Sequence, residues 1–255
     1  GAWAWSISRA VDIVDADARL DRGHVAVFGH SRFGKSALLA AARAIGSGSR
    51  ERISPDFWQM LDAPFPKEGS FQQRSFILRA RFAAFAGLAA EHMGRTAGCR
   101  FHDLGRRIER ALNFARLLRT FATEEASAND LTALLELGDV QISYRQRYAT
   151  GLALMPVRDL VGLDPFNPRS ISFQANAIRE HLDALPRLKD DGMAEPQQAA
   201  ATGLVALIST LSATMLTAEV CDELEGRLFA LSDAISERFF LRGSETLRAS
   251  GMTLA

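Results

Sequence analysis

From residue 50 to the end of the chain, apolar residues recur with the period of an α-helix, and no segment has the alternating pattern of a strand. The clearest case is a stripe at i, i+4 and i+7 spacing that consists of Leu104, Ile108, Ala111, Leu112, Ala115 and Leu118. Such a helix needs a partner surface for its apolar side. The sequence therefore predicts a mainly all-α protein, built as an antiparallel helical bundle.

Turn and cap residues divide this region into separate helices. Helices are predicted over Phe71–Met93, Asp103–Phe121, Asn129–Thr150, Arg169–Leu185, Gln197–Leu211 and Ala218–Phe240. Another helix is expected to begin at Ser54-Pro55, a capping residue followed by proline at the first helical position. Asp164-Pro165 and Asn167-Pro168 are turn signals, and Ser170 is placed to cap the helix that follows.

The first 45 residues have a different pattern. Trp3 to Val14 has helical spacing, Val25 to Phe28 is a short apolar run typical of a buried strand, and Ser36 to Arg43 is rich in helix formers. Residues 46–49, Gly-Ser-Gly-Ser, have the composition of a flexible linker. The predicted organisation is a short helix-strand-helix fragment over residues 1–45, a linker over 46–49, and a helical domain over 50–255.

The charge balance and the cysteine content exclude several kinds of partner and site. Thirty Lys and Arg residues balance thirty Asp and Glu residues, so no nucleic acid and no anionic membrane is expected as partner. Cys99 and Cys221 form no Cys-x-x-Cys pair, which predicts neither a zinc site nor a disulfide framework. No cofactor is predicted. No apolar run approaches the roughly 20 residues that a membrane helix needs, and a cytoplasmic protein is expected.

Residues 29–36, Gly-His-Ser-Arg-Phe-Gly-Lys-Ser, fit two kinds of site. By pattern alone the better match is a P-loop, in which backbone amides hold phosphates, Lys35 reaches the terminal phosphate and Ser36 holds Mg²⁺. The same residues fit a nucleophile elbow, whose tight turn exposes the Ser31 hydroxyl. A P-loop enzyme also needs an aspartate at the end of another strand. Because helices are predicted throughout the following sequence, context favours the elbow.

The stretch from Trp3 to Ala44 resembles glucuronoyl esterases and related α/β-hydrolases of carbohydrate-esterase type. The matching segments are Trp3-Ala-Trp5, Ser8-Arg9-Ala10, Asp12 and Val25 to Lys35. The resemblance implies that Ser31 is the nucleophile of a serine ester hydrolase and that Arg32 stabilises the oxyanion. In that family the general-base histidine and its acidic partner follow well downstream, among further strands. The helical sequence here predicts neither, so the esterase is expected to be incomplete.

Residues 50–248 resemble the bacterial alpha-E domain family of helical proteins. The matching segments are Arg52–Trp58, Glu91–Arg95, Phe101–Ala111, Leu135–Asp139, Ser143–Arg145, Pro156–Asp159 and Leu163–Ser170, with Phe173-Gln174. The resemblance implies an accessory or partner of ATP-grasp peptide-ligase-type or transglutaminase-like proteins, and it implies no reaction. Family members carry two copies of Gly-Arg-x-x-Glu-Arg-Ala, found here once at Gly105–Ala111. The domain is therefore expected to be truncated at its N-terminal side.

Polar residues of these segments are candidates for a cluster between helices. They are Glu91, Arg95, Asp103, Arg106, Glu109, Asp139, Tyr144, Arg145, Arg169 and Gln174. Arg106 and Glu109, three residues apart, are neighbours on one helix face. Two interpretations stay open: salt bridges and caps between helices, or a site for a peptide carboxylate or phosphorylated intermediate, with Glu109 as base or metal ligand. Because no His or Asp accompanies the glutamates at ligand spacing, no metal site is predicted.

Overall fold

A computed structural model describes residues 54–64, 66, 68–148, 151–188 and 192–241. These residues belong to two compact units, 54–99 and 100–241. All regular structure in the described ranges is helical, without a strand, which confirms the mainly α-helical class. The predicted helix-strand-helix fragment, the linker at 46–49, Ser31 with Arg32, and the P-loop pattern at Gly29–Ser36 lie outside the described residues.

The first unit contains helix α1, Pro55–Asp62, and helix α2, Phe71–His92, which pack against each other. Both begin where the sequence predicts. Helix α2 starts with a capping box, because the Ser70 side chain accepts a hydrogen bond from the Gln73 N–H while the Gln73 side chain accepts one from the Ser70 N–H. Arg81 on α2 donates to two carbonyl groups of the α1–α2 connection, both at 3.0 Å.

Helix α3, Ala97–Phe121, is the longest helix of the described chain and starts before the predicted Asp103. All six residues of its predicted apolar stripe are buried, with Leu104 fully inaccessible and Leu112 only 6% exposed. The arginines that the stripe excludes are half-buried or exposed. Amphipathic periodicity is therefore sufficient to orient this helix.

The single helix predicted over Asn129–Thr150 is wrong. Helix α4, Ala128–Gly138, ends there, and helix α5, Gln141–Arg147, begins after a two-residue break. The break occurs at Asp139, whose backbone is left-handed with φ 55° and ψ 43°. A helix cannot continue through a residue in this conformation.

Hydrogen bonds around Asp139 explain why the chain stops there. The Asp139 N–H donates to the Glu136 carbonyl and the Val140 N–H to the Leu135 carbonyl, each at 3.0 Å. This pair of bonds is the Schellman motif, which satisfies carbonyls at a helix end. Val140 and Leu135 are both buried, as expected for the apolar contact that accompanies the motif. Because the motif usually has glycine at the left-handed position, an aspartate there is a weak sequence signal.

Helix α6, Leu154–Arg158, continues into a wider π-helical turn, Asp159–Leu163, and neither is among the predicted helices. Arg158 is 2% exposed, and its Nε and Nη2 atoms donate to the Ala122 carbonyl oxygen at 2.9 and 2.7 Å. Its Nη1 atom donates to Glu124 at 2.7 Å. Ala122 directly follows α3, so a tertiary contact helps to hold this short helix, and no local pattern predicts it.

Three successive helices complete the second unit: α7, Ile171–Asp183; α8, Pro196–Thr210; and α9, Ala218–Ser236. Helix α9 continues as a π-helical turn, Glu237–Leu241. Helix α7 packs against α8, and α8 packs against α9. The predicted cap is confirmed, because Ser170 Oγ accepts a hydrogen bond from the Phe173 N–H at 3.0 Å. Within the described ranges, no helix is both long and apolar enough to cross a bilayer.

Candidate functional site

Asp103, near the start of α3, receives hydrogen bonds from side chains of two helices. Arg107 Nε donates to Asp103 Oδ2 at 2.6 Å, and Arg106 Nε donates to Oδ1 at 3.0 Å. His181 Nε2, on α7, lies 2.7 Å from Oδ2. The Asp103 side chain is only 16% exposed. We call this group, together with two further residues described below, the Asp103 cluster; its members are Asp103, Arg106, Arg107, Arg110, Gln174 and His181.

The surroundings of Asp103 keep its carboxylate ionised. Burial alone would raise the pKa of Asp103, but the hydrogen bond from His181 and the charges of Arg107 and Arg106 outweigh burial and hold that pKa well below its usual range. A carboxylate that does not exchange protons near neutral pH is unsuited to general acid–base catalysis. Asp103 therefore acts as a fixed negative charge that orients its neighbours.

The tautomer of His181 follows from its two neighbours. Arg100 Nη1 lies 3.5 Å from His181 Nδ1, and a guanidinium group can only donate. Nδ1 is therefore the acceptor, so Nε2 carries the proton and donates to Asp103. Both ring nitrogens are engaged between α3 and α7, which gives His181 a positioning role.

Gln174 and the loop before α7 complete the cluster. Arg107 Nη1 donates to Gln174 Oε1 at 3.3 Å, and Gln174 Nε2 donates to the Pro168 carbonyl at 2.7 Å. Arg110 Nη1 donates to the same carbonyl at 3.3 Å. The Gln174 side chain is fully buried, so it holds Arg107 and the loop in fixed positions. The guanidinium of Arg107 also lies 5.4 Å from the centre of the Phe173 ring.

Positive charge is in excess around Arg110. Burial, followed by the nearby charges of Arg169, Arg106 and Arg107, lowers the pKa of Arg110 to about 10, and Asp103 offsets only part of that effect. Arg110 is still protonated at neutral pH. Among the described residues, Arg169 has one carboxylate partner, Asp139, at 3.4 Å, and the Asp139 side chain is 77% exposed. This region of the molecule therefore repels cations and attracts anions.

The loop over residues 164–170 is fixed by its own polar side chains. Asp164 Oδ1 accepts a hydrogen bond from the Phe166 N–H at 2.9 Å, and Asn167 Oδ1 accepts one from the Arg169 N–H at 3.1 Å. Asn167 Nδ2 donates to the Leu160 carbonyl at 2.7 Å. Phe166 is part of this loop, and 86% of its surface is exposed, the largest value among the exposed hydrophobic residues of the described chain.

The structure does not bring all the predicted site residues together at one site. Asp103, Arg106 and Gln174 share one cluster, and Arg169 with Asp139 lies beside it. Glu109 is 8% exposed and accepts a hydrogen bond from Asn113 at 3.2 Å. Tyr144 and Arg145 line a separate cavity of about 370 Å³. Glu91 and Arg95 belong to the unit 54–99, where both are exposed.

Three members of the cluster are not among the predicted site residues. Arg107 and Arg110 are recognisable in the sequence as polar positions beside the apolar stripe, and Arg107 lies one helical turn after Asp103. His181 is separated from Asp103 by 78 residues, and only the packing of α7 on α3 brings it there. In the described part of the chain, no group of three or more His, Cys, Asp and Glu side chains is arranged to hold a metal ion.

A family model matches residues 31–240, which is most of the chain, and describes a predicted alpha-helical domain with a conserved ER motif. The chain belongs to the Alpha-E family. Helix α3 of this Alpha-E domain carries such a Glu-Arg pair, Glu109-Arg110. Its two side chains have different surroundings, since Glu109 is buried and Arg110 contacts the loop at Pro168.

Comparison with curated proteins finds relatives in mycobacteria. Uncharacterised proteins of Mycobacterium bovis and Mycobacterium tuberculosis are 28% identical to this chain over 167 residues, which is 58% of the chain and 18% of each relative. The Alpha-E chain thus spans less than a fifth of the length of these relatives. A second family model, for fungal glucuronyl esterase, matches residues 1–44. No solved structure shows significant similarity.

Proposed function

We propose that this Alpha-E chain is an accessory domain that binds an acidic segment of a peptide-ligase-type protein of the ATP-grasp class. The binding surface is the docking face, which we define as Arg106, Arg110, Arg169 and Phe166. The observation that carries the proposal is that Arg110 and Arg169 meet at one loop, where Arg110 donates to the Pro168 carbonyl. Burial and then the charges of Arg169 and Arg106 lower the pKa of Arg110 there, while Phe166 of the same loop is 86% exposed.

The chemistry of the docking face fits recognition better than catalysis. Asp103, which contacts Arg106 of this face, stays ionised because His181 and the arginines stabilise its charged form. The arginines are always charged near neutral pH, and their planar groups match carboxylates through two parallel hydrogen bonds. Carboxylates from a partner would reduce the mutual repulsion of Arg106, Arg110 and Arg169 and would therefore bind favourably.

The residue types and the rigidity of the face also fit a protein partner. Aromatic residues and arginine are enriched among the residues that contribute most to protein–protein affinity. Phe166 and Arg169 lie on a loop whose conformation is fixed by Asp164, Asn167 and Ser170. Binding therefore orders little additional chain, which lowers the entropic cost of association.

Gel filtration at micromolar concentration with a candidate ATP-grasp-type protein tests the proposal. The two proteins are expected to co-elute. Phe166→Ser and Arg169→Glu should each abolish co-elution, whereas the matched controls Phe229→Ser and Arg227→Glu, both 46% exposed on α9, should retain it. Separate elution of the unchanged chain contradicts the proposal, and so does equal loss with the controls.

A second candidate function is ester hydrolysis at Ser31, favoured by the match of residues 1–44 to a glucuronyl esterase model. Ser31 would attack the ester carbonyl and Arg32 would stabilise the oxyanion. Hydrolysis of an aryl acetate and of a glucuronate methyl ester by the full chain and by Ser31→Ala decides the matter. A Ser31-dependent rate supports this activity, and equal rates exclude it.

A further inference from the structure

Tyr144 and Tyr148 form the wall of a cavity that the docking face does not include. Their ring centres are 5.1 Å apart, and the rings are inclined at 40°. Tyr144 lies on α5 and Tyr148 directly follows its last residue, and both side chains line the cavity. Leu135 and Leu152 add apolar surface, and the cavity, which is open to solvent, has a volume of about 370 Å³. This volume lies within the range of small-molecule sites in proteins.

Hydrogen bonds fix both tyrosine rings. The Tyr144 hydroxyl donates to the Gly151 carbonyl at 3.2 Å and accepts from the Ala153 N–H at 3.1 Å. The Tyr148 hydroxyl donates to Asp159 Oδ2 at 2.5 Å. Because the hydroxyl groups are engaged by the protein, the ring surface that reaches the cavity is mainly apolar; Tyr144 is only 4% exposed, so Tyr148 supplies most of it. The cavity is preformed, and a ligand need not organise its walls.

Two polar side chains on the lining of the cavity are available for a ligand. Arg145 is exposed, and its guanidinium group makes no hydrogen bond or ion pair with any residue that the structure describes. The nearby Arg147 differs, because it pairs with Asp164 and Asp159. Gln141 lies one helical turn before Arg145 and also lines the cavity. The site thus combines one uncompensated positive charge, one amide and apolar walls.

We propose that this cavity binds a small carboxylic acid with an apolar body, of about the size of an N-acylated amino acid. The carboxylate pairs with the Arg145 guanidinium through two hydrogen bonds. The apolar body packs mainly against the Tyr148 ring and touches the edge of the buried Tyr144 ring, and Gln141 donates to or accepts from the amide group of the ligand. This site does not rest on the docking proposal, because it shares no residue with the docking face.

The two tyrosines provide a specific probe, because the chain contains no others. Ring labelling with ¹³C-tyrosine gives signals from the cavity alone, which are followed while N-acetyl-L-phenylalanine is added to the full chain. Saturable shifts of both signals are expected at millimolar concentration or below. The neutral analogue N-acetyl-L-phenylalaninamide is expected to bind about tenfold more weakly or worse, because it lacks the charge-assisted pair.

Variants of Arg145 separate the carboxylate contact from the shape of the cavity. Arg145→Gln should weaken binding of the acid at least about tenfold and leave binding of the amide unchanged. Arg145→Lys should recover part of the affinity, and the control Arg227→Gln should behave as the unchanged chain. The proposal is overturned if the acid gives no saturable shift up to about 10 mM, if acid and amide bind equally, or if Arg145→Gln affects both ligands alike.

Discussion

Arg158 provides the most quantitative test of how the second unit is held together. Its side chain is 2% exposed, and two of its nitrogen atoms donate to the Ala122 carbonyl, at the end of α3. The third nitrogen pairs with Glu124, whose side chain is 64% exposed. The contact with Ala122 is thus buried, whereas the Glu124 carboxylate of the ion pair is exposed to solvent.

The free energy of unfolding should respond differently to the loss of each contact. Arg158→Met keeps much of the side-chain volume but leaves the buried Ala122 carbonyl without its donor, which costs about 1–3 kcal/mol. Arg158→Ala also leaves a cavity, so the total cost rises to about 3–5 kcal/mol. Glu124→Gln removes only the solvent-exposed partner and should cost less than about 1 kcal/mol.

Urea denaturation followed by far-UV circular dichroism measures all three variants against the unchanged chain. The expected order of destabilisation is Arg158→Ala, then Arg158→Met, then Glu124→Gln. If Glu124→Gln costs as much as Arg158→Met, the ion pair and not the carbonyl contact is the stabilising interaction. If Arg158→Met is neutral, the Ala122 contact does not hold α6 in place, and the reasoning is refuted.

Further predictions concern protonation, thiol reactivity and backbone conformation. Burial and then the Arg106 charge lower the pKa of His102 below 6.5, so the unfolded chain binds a proton more tightly than the folded chain, and the free energy of unfolding falls as the pH drops below 6.5. In denaturation curves between pH 7 and 5.5, His102→Gln should reduce that fall, whereas the exposed control His92→Gln should not. Burial raises the pKa of the Cys221 thiol to about 11, so iodoacetamide should modify the more accessible Cys99 first, as followed by mass spectrometry. Equal rates of modification of the two cysteines in the native chain would contradict this. Because the Asp139 backbone is left-handed, Asp139→Val should lower the free energy of unfolding by about 1–2 kcal/mol, whereas Asp139→Gly should not lower it. Equal effects of the two substitutions would exclude the left-handed backbone as the cause.

The helices that can be predicted from sequence are those whose signals are local. The stripe from Leu104 to Leu118 orients α3 because its spacing alone identifies the buried side, and Ser170 identifies the start of α7 because the cap lies within the next helical turn. The break at Asp139 is missed because a Schellman motif with aspartate resembles a continuing helix in composition. Helix α6 is missed because Arg158 meets Ala122, 36 residues earlier in the chain.

The residues of the candidate site likewise divide into those that local spacing predicts and those that only tertiary packing brings together. Asp103 and Arg106 are neighbours on one helix and can be paired from their spacing. His181 joins them only because α7 packs on α3 in one register, which no short pattern determines. The excess of positive charge around Arg110 likewise depends on where the loop places Arg169. The balanced overall charge of the chain conceals this local excess.

The measurement that tests the central claim most directly is the affinity of this Alpha-E chain for a partner of the proposed ATP-grasp class, determined by calorimetry over a range of salt concentrations. The docking face predicts a dissociation constant in the micromolar range or below that weakens as salt is added, and Arg169→Glu should abolish binding while Arg227→Glu does not. Binding that is insensitive to salt, unchanged by Arg169→Glu, or undetectable at micromolar concentration would contradict the account.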